Sequence, residues 1–236
     1  MVKVLELFSG TGSVGKVCDS IGWDSVSVDM ILPATHKVDI MHFDYKQYPK
    51  DTFDIVWASP PCTNYSKLQD CHLGRMRKGK IYTREIQDAE MKEDDKLVLK
   101  TLEIIEYFNP EYYFIENPAT SRMKERSYMK DRYNVVVDYC MYSDWGYRKP
   151  TRIWTNKKDF KPLTCNKECG NMHNGKHKNN LGTIHYAEIN GKLMAINNAE
   201  LRKQYGHLII KGARKTINQY DKYRIPEDLI FSLFFD

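Results

Sequence analysis

Apolar residues fall in short runs near the amino terminus and at helical spacing after each run. Val2-Lys3-Val4-Leu5-Glu6-Leu7-Phe8 predicts a strand, and Val14, Val17 and Ile21 predict the helix that follows it. Ser25-Val26-Ser27-Val28-Asp29 predicts a second strand, and Lys37-Val38-Asp39-Ile40 the end of a short third one. Phe53-Asp54-Ile55-Val56-Trp57 is apolar enough for a buried strand, which the two prolines of Ser59-Pro60-Pro61-Cys62 end. From about Ile86 to Phe108 the period becomes helical, with Leu97, Thr101, Leu102, Ile105 and Phe108 near one face and Asn109-Pro110 as the stop. Tyr112-Tyr113-Phe114-Ile115 predicts another strand. A helical stretch near Thr120 to Lys130 and strands at Tyr133 to Cys140 and Ile153-Trp154-Thr155 follow. This alternation predicts an α/β fold with a doubly wound, mostly parallel sheet over residues 1–155.

Beyond that point the pattern changes. Residues 156–218 are polar and basic, rich in Gly, Asn, His and Lys, and are expected to form a small insert. Residues 219–236 end in apolar positions at helical spacing after Pro226, so this helix is expected to pack back on the main domain.

With 236 residues, the chain can bury a full core. Hydrophobic and charged fractions of 42% and 28% are those of an ordinary globular protein. Neither a signal peptide nor a run of membrane-spanning length is apparent, so no membrane partner is expected. The six cysteines lack the spacing of a secreted disulfide framework, which predicts reduced thiols in an intracellular compartment. A net charge of +5 permits a polyanionic partner without requiring one.

Candidate chemistry gathers at the carboxyl ends of the predicted strands, the edge where open α/β sheets bind ligands. Ser9-Gly10-Thr11-Gly12-Ser13-Val14-Gly15 sets three glycines between a strand and a helix, a turn that brings backbone close to a nucleotide-like cofactor. Asp29 lies about 20 residues further on, where a carboxylate accepts from ribose hydroxyls or simply caps a loop. Asp39 can take an adenine amine or cap a helix. Cys62, just past a strand on a proline-stiffened turn, is a candidate nucleophile. Glu116 ends a second strand at the same edge, and Arg148, Lys149 and Arg152 lie just ahead of a third. Residues 67–84 carry Lys67, Arg75, Arg77, Lys78, Lys80 and Arg84, a basic loop suited to closing over phosphates. Separately, Cys165, Cys169, His173 and His177 recur every four residues in a segment too polar for a core, and are expected to hold a structural zinc.

Three motifs together resemble the S-adenosylmethionine-dependent DNA methyltransferases that modify carbon 5 of cytosine. They are Glu6-Leu7-Phe8-Ser9-Gly10-Thr11-Gly12, Pro60-Pro61-Cys62 and Glu116-Asn117-Pro118, in the family's order. The resemblance implies a Rossmann-like class I methyltransferase fold. S-adenosylmethionine would sit against Phe8, Ser9, Gly10, Thr11, Gly12, Asp29, Asp39 and Pro60. It also implies Cys62 as the thiolate that adds to carbon 6, Glu116 as the partner of ring nitrogen 3, and Arg148 or Arg152 as support for the base carbonyl or Glu116. Double-stranded DNA is the implied partner, entered by flipping the cytosine, and a monomer is the expected state. Thr63 stands where the family usually has Gln, the basic motif lacks a clean register, and about 60 residues remain for target recognition. The same motifs fit a branch acting on tRNA, and a catalytically silent DNA-binding protein would keep the fold alone.

Overall fold

The computed structural model describes residues 1–173, 175–179, 184–196, 199–215 and 222–236. Six strands form the central sheet: β1 (Lys3–Leu7), β2 (Asp24–Val28), β3 (Ile55–Ala58), β6 (Tyr112–Pro118), β7 (Asn134–Asp138) and β8 (Pro150–Thr155). Their order is β2-β1-β3-β6-β8-β7. β1 runs parallel to β2 and β3, and β3 parallel to β6, whereas β8 is antiparallel to both β6 and β7.

Successive residues of the inner strands point to opposite faces, and both faces are covered, so these strands are mostly apolar on both sides, with Glu6, Glu116 and Asn117 as buried polar exceptions. Val4, Ile55, Trp57 and Phe114 meet α1 (Ser13–Ile21) and the closing helix α4 (Glu227–Phe235) through Val14, Val17, Leu229 and Leu233. Leu5, Leu7, Val56, Ala58 and Ile115 meet α2 (Arg84–Phe108) through Val98, Ile104 and Phe108. The closing helix therefore packs back on the central sheet. It is fastened by Ile225 N, which donates to Ser13 Oγ at 3.1 Å.

Two predicted elements take another form. The third short strand is replaced by a 3-10 turn, Ile40–His42, because Asp39 Oδ1 accepts from Met41 N at 2.9 Å and starts that turn. The helix near Thr120 to Lys130 contracts to a 3-10 turn, Arg122–Glu125, begun by Ser121. The basic loop is structured: a 3-10 segment, Lys67–His72, leads into a hairpin of β4 (Met76–Arg77) and β5 (Lys80–Ile81). The polar insert holds a small hairpin, β9 (Met172–His173) with β10 (Lys176–His177). It also holds β11 (Ile184–Ile189), β12 (Lys192–Ile196) and β13 (Ile209–Lys215), a sheet of order β12-β11-β13, with α3 (Ala199–Tyr205) between its second and third strands in sequence. Among the described residues no helix is long and apolar enough to cross a membrane.

Candidate active site

The turn after β1 is set by backbone geometry. Phe8, Gly10 and Gly12 all take positive φ, at 56°, 52° and 67°. Gly12 N donates to Ser9 O at 2.8 Å, which closes the turn against the start of α1. The end of β1 holds that start from below. Glu6 is buried, and its two oxygens accept from Val14 N at 3.2 Å and Gly15 N at 3.1 Å. Burial outweighs those bonds and pushes the Glu6 carboxyl up to about 7.

Phe8, Ser9, Gly10, Asp29, Asp39, Pro60, Cys62 and Glu116 all line one cavity of about 710 Å³ at the carboxyl edge of the sheet. Thr11 lines a neighbouring polar cavity, and Gly12 serves as the cap of α1. Asp29 does more than face the cavity: Oδ2 accepts from Gly10 N at 2.9 Å, while Oδ1 accepts from Ile31 N and Leu32 N at 2.8 and 2.7 Å. It thus locks the glycine turn to the next loop. Beside it Met30 and Ile31 are exposed, 60% and 70%, and offer an apolar face that the sequence reading did not single out.

A nucleotide-like cofactor fits this cavity on one observation in particular. Ser9 Oγ is buried in its wall and has no hydrogen-bond partner. A buried hydroxyl left unpaired is costly, and a polar ligand group would satisfy it.

Cys62 and Glu116 come from neighbouring parallel strands, β3 and β6, paired at Ala58 and Ile115. Asn117 ties the two strand ends together, donating from Nδ2 to Pro60 O at 2.9 Å in the buried wall. The chain after the cysteine is pinned from below. Tyr65, fully buried, donates to Asp95 Oδ1 at 2.8 Å, and Asp95 also takes Arg126 and Tyr128. Cys62 therefore projects from a braced loop.

The cation beside these groups is Lys149. Its Nζ lies 3.8 Å from Glu116 Oε1 and 4.6 Å above the Tyr139 ring, and donates to Lys222 O at 3.0 Å. Tyr139 donates its hydroxyl to the same Glu116 oxygen at 3.0 Å. The Cys62 thiol is pushed above its usual range, by burial first and then by the Glu116 charge, with Lys149 pulling it back.

Neither expected arginine occupies this place. Arg148 forms a two-pronged pair with the buried Asp138 carboxylate, Nε to Oδ1 at 2.8 Å and Nη2 to Oδ2 at 2.9 Å. Arg152 lies over Trp154 and donates to Asn134 on β7. Lys149, between them, was legible only as part of a basic cluster, and Tyr139 only as a strand aromatic.

The thiols of the insert also differ from expectation. Cys165 and Cys169 cluster with His177 and with Cys140, at the end of β7, and not with His173. The hairpin register explains this: His177 pairs with Met172 and His173 with Lys176, so the two imidazoles fall on opposite faces. His173 is exposed.

Residues 2–142 match the profile of the C-5 cytosine-specific DNA methylase family. A protein of frog virus 3 (isolate Goorha), named "Probable DNA (cytosine-5)-methyltransferase", is 42% identical over 175 residues, covering 72% of this chain and 79% of that one. The structure of an Entamoeba histolytica methyltransferase, EhMeth, aligns over 99% of this chain and 97% of that one, with a TM-score of 0.52 at 14% identity. A protein assigned as a DNA modification methyltransferase of an E. coli prophage aligns over 66% of this chain, which spans 46% of its length, with a TM-score of 0.46 at 13% identity. The fold is that of the Rossmann-like methyltransferases, and the chain belongs to the C-5 cytosine-specific DNA methylase family.

Proposed function

We propose that this enzyme methylates carbon 5 of a flipped-out cytosine in double-stranded DNA, with Cys62 as nucleophile and Glu116, Lys149 and Tyr139 around it. The observation that carries the reading is the convergence of Cys62, Glu116 and Lys149 on one cavity shared with the glycine turn. Bound S-adenosylmethionine supplies the methyl group in electrophilic form. Ser9, the Phe8 to Gly12 turn, Asp29, Asp39 and Pro60 would hold it. Asp29 would act as a clamp of that turn, and Asp39 would have its Oδ2 to spare.

Carbon 5 of cytosine is a weak nucleophile. With the Cys62 proton released to solvent, addition of the thiolate to carbon 6 turns the carbon 5 position into an enamine carbon able to attack an electrophile. Glu116, holding a proton for nitrogen 3, neutralises the charge that builds as this bond forms. A protonated Glu116 also ceases to repel the thiolate, so the two steps support each other. Lys149 stabilises whichever of the two groups is negative, and Tyr139 fixes the orientation of the carboxyl. Once carbon 5 is methylated, loss of its proton to a base expels the Cys62 thiolate, nitrogen 3 returns its proton to Glu116, and the aromatic ring is restored.

A base inside a duplex cannot present its face to Cys62, so extrusion is required, at a cost of a few kcal/mol. The hairpin at residues 74–81 suits recovery of that cost by phosphate contact. Arg77 and Arg84 are held by Glu90 and Asp70, which leaves Arg75, Lys78 and Lys80 as exposed cations without an acidic partner among the described residues. Residues 1–155 would carry the catalysis and 156–218 the target recognition, with 219–236 closing the domain. A monomer inside a cell, where the thiols stay reduced, is the setting this implies. Zinc would be a structural partner only, since its candidate ligands lie outside the cavity.

Transfer of labelled methyl groups to duplex DNA, single-stranded DNA and tRNA tests the substrate. Incorporation into duplex DNA as 5-methylcytosine is expected, and incorporation into tRNA alone would contradict the proposal.

A further inference from the structure

Outside the active site the strongest concentration of unused chemistry is the group Cys140, Cys165, Cys169 and His177. One ligand atom of each lies within 4.8 Å of every other. Cys165 Sγ is 3.5 Å from both Cys169 Sγ and His177 Nε2, and Cys169 Sγ is 3.3 Å from that nitrogen. A tetrahedral zinc with ordinary bond lengths sets its ligand atoms about 3.8 Å apart for two sulfurs and about 3.6 Å apart for sulfur and nitrogen. The three edges among Cys165, Cys169 and His177 are already near those lengths, and Cys140 Sγ lies within 4.8 Å of each. A disulfide would need sulfurs about 2.05 Å apart, and all six cysteines of the chain are free.

Two further features favour thiolates over a packed apolar knot. The three cysteines are buried, yet an imidazole nitrogen points at two of them. Lys167, held at a φ of 73°, directs its backbone N–H onto Cys165 Sγ at 3.3 Å, a bond that stabilises a negative sulfur.

We propose that Cys140, Cys165, Cys169 and His177 bind one zinc ion in a closed tetrahedral site, which fastens the root of the insert to the strand end beside the catalytic carboxylate. Cys140 belongs to the main domain and the other three ligands to the insert, so the ion bridges the two. The surroundings are built for such a staple. Asn171 is buried, donates to Cys140 O and Ser143 O at 2.9 and 2.7 Å, and accepts from Gly146 N at 2.9 Å. Asp138 Oδ2, besides pairing with Arg148, accepts from Cys165 N at 2.8 Å. Between Asp138 and Cys140 stands Tyr139, which holds Glu116. A segment this polar buries too little apolar surface to hold itself in place, and a metal can supply that.

The test is metal content and geometry, measured on the full-length protein purified without chelators. Stoichiometric zinc is expected, and cobalt put in its place should give the visible bands of a tetrahedral site with thiolate charge transfer. His173→Ala should leave both unchanged. His177→Ala and Cys140→Ser should each lose the ion or shift the cobalt bands. Should Cys140→Ser not fold, the charge-transfer intensity of the cobalt-loaded parent still counts its thiolates, and fewer than three would overturn the ligand set. Protein free of metal that takes up no cobalt would overturn the site. So would loss of the ion in His173→Ala with retention in His177→Ala. None of these readouts involves methyl transfer, so the site and the reaction stand or fall separately.

Discussion

Cys62 has an environment that works against its ionisation in the free enzyme: burial first and then Glu116 raise it, with Lys149 and a backbone hydrogen bond opposing them. At neutral pH the thiol therefore keeps its proton in the free enzyme. Alkylation of Cys62 should accordingly be slow near pH 7 and accelerate as pH rises past the usual thiol range. Glu116→Gln, which removes a repelling charge, should speed alkylation at a fixed pH, and Lys149→Met should slow it. Mass spectrometry of the modified peptide reads both. For turnover, Lys149→Met should cost about 10² to 10³ in kcat with cofactor affinity kept, the scale of losing one pre-placed group that stabilises developing charge. Arg152→Met, whose partner is Asn134, should leave kcat close to the parent's. Cys62 and Glu116 could be read from the sequence because each follows an apolar run that ends at the same sheet edge. The choice among Arg148, Lys149 and Arg152 could not. It depends on Asp138, which lies in an adjacent strand and takes Arg148 out of contention.

At the scale of elements, β1 and α1 are joined by a buried carboxylate that carries a pH signature. Glu6 titrates near 7 in the folded chain against 4.5 for the free side chain. Between those values the folded state binds more protons than the unfolded one, so this group makes stability fall as pH rises from about 4.5 to 7. Glu6→Gln keeps an acceptor for α1 and removes the charge, so its unfolding midpoint should show a flatter dependence over that window. An unchanged slope would exclude Glu6 as its source. The brace beneath the Cys62 loop makes a second prediction. Asp95→Ala strands Arg126 and two tyrosine hydroxyls, and denaturant unfolding should show a loss of about 3–5 kcal/mol. Strand positions were legible here because doubly covered strands are apolar at most residues on both faces. The 3-10 turns at Ile40–His42 and Arg122–Glu125 were not, since short side-chain caps at Asp39 and Ser121 decide them. His173 and His177 were indistinguishable by spacing, and only the hairpin register separates them.

Over the whole molecule, the amino-terminal turn, the ends of β3 and β6 and the segment just ahead of the closing helix converge on one cavity drawn from residues far apart in sequence. The last helix packs its buried face on α1 and the sheet beneath. Leu233→Ala should cost about 2–5 kcal/mol of stability, because the site between α1 and the sheet cannot collapse on the space left. The central claim is that Cys62 forms a covalent bond to cytosine in DNA, and it has a direct measurement. Duplex DNA carrying 5-fluorocytosine at the target is incubated with enzyme and S-adenosylmethionine, then resolved under denaturing conditions. Fluorine cannot leave as a proton does, so a stable protein–DNA adduct should accumulate with the parent enzyme and be absent with Cys62→Ala. An enzyme that methylates cytosine in duplex DNA yet forms no such adduct, or forms it equally well as Cys62→Ala, would contradict the account.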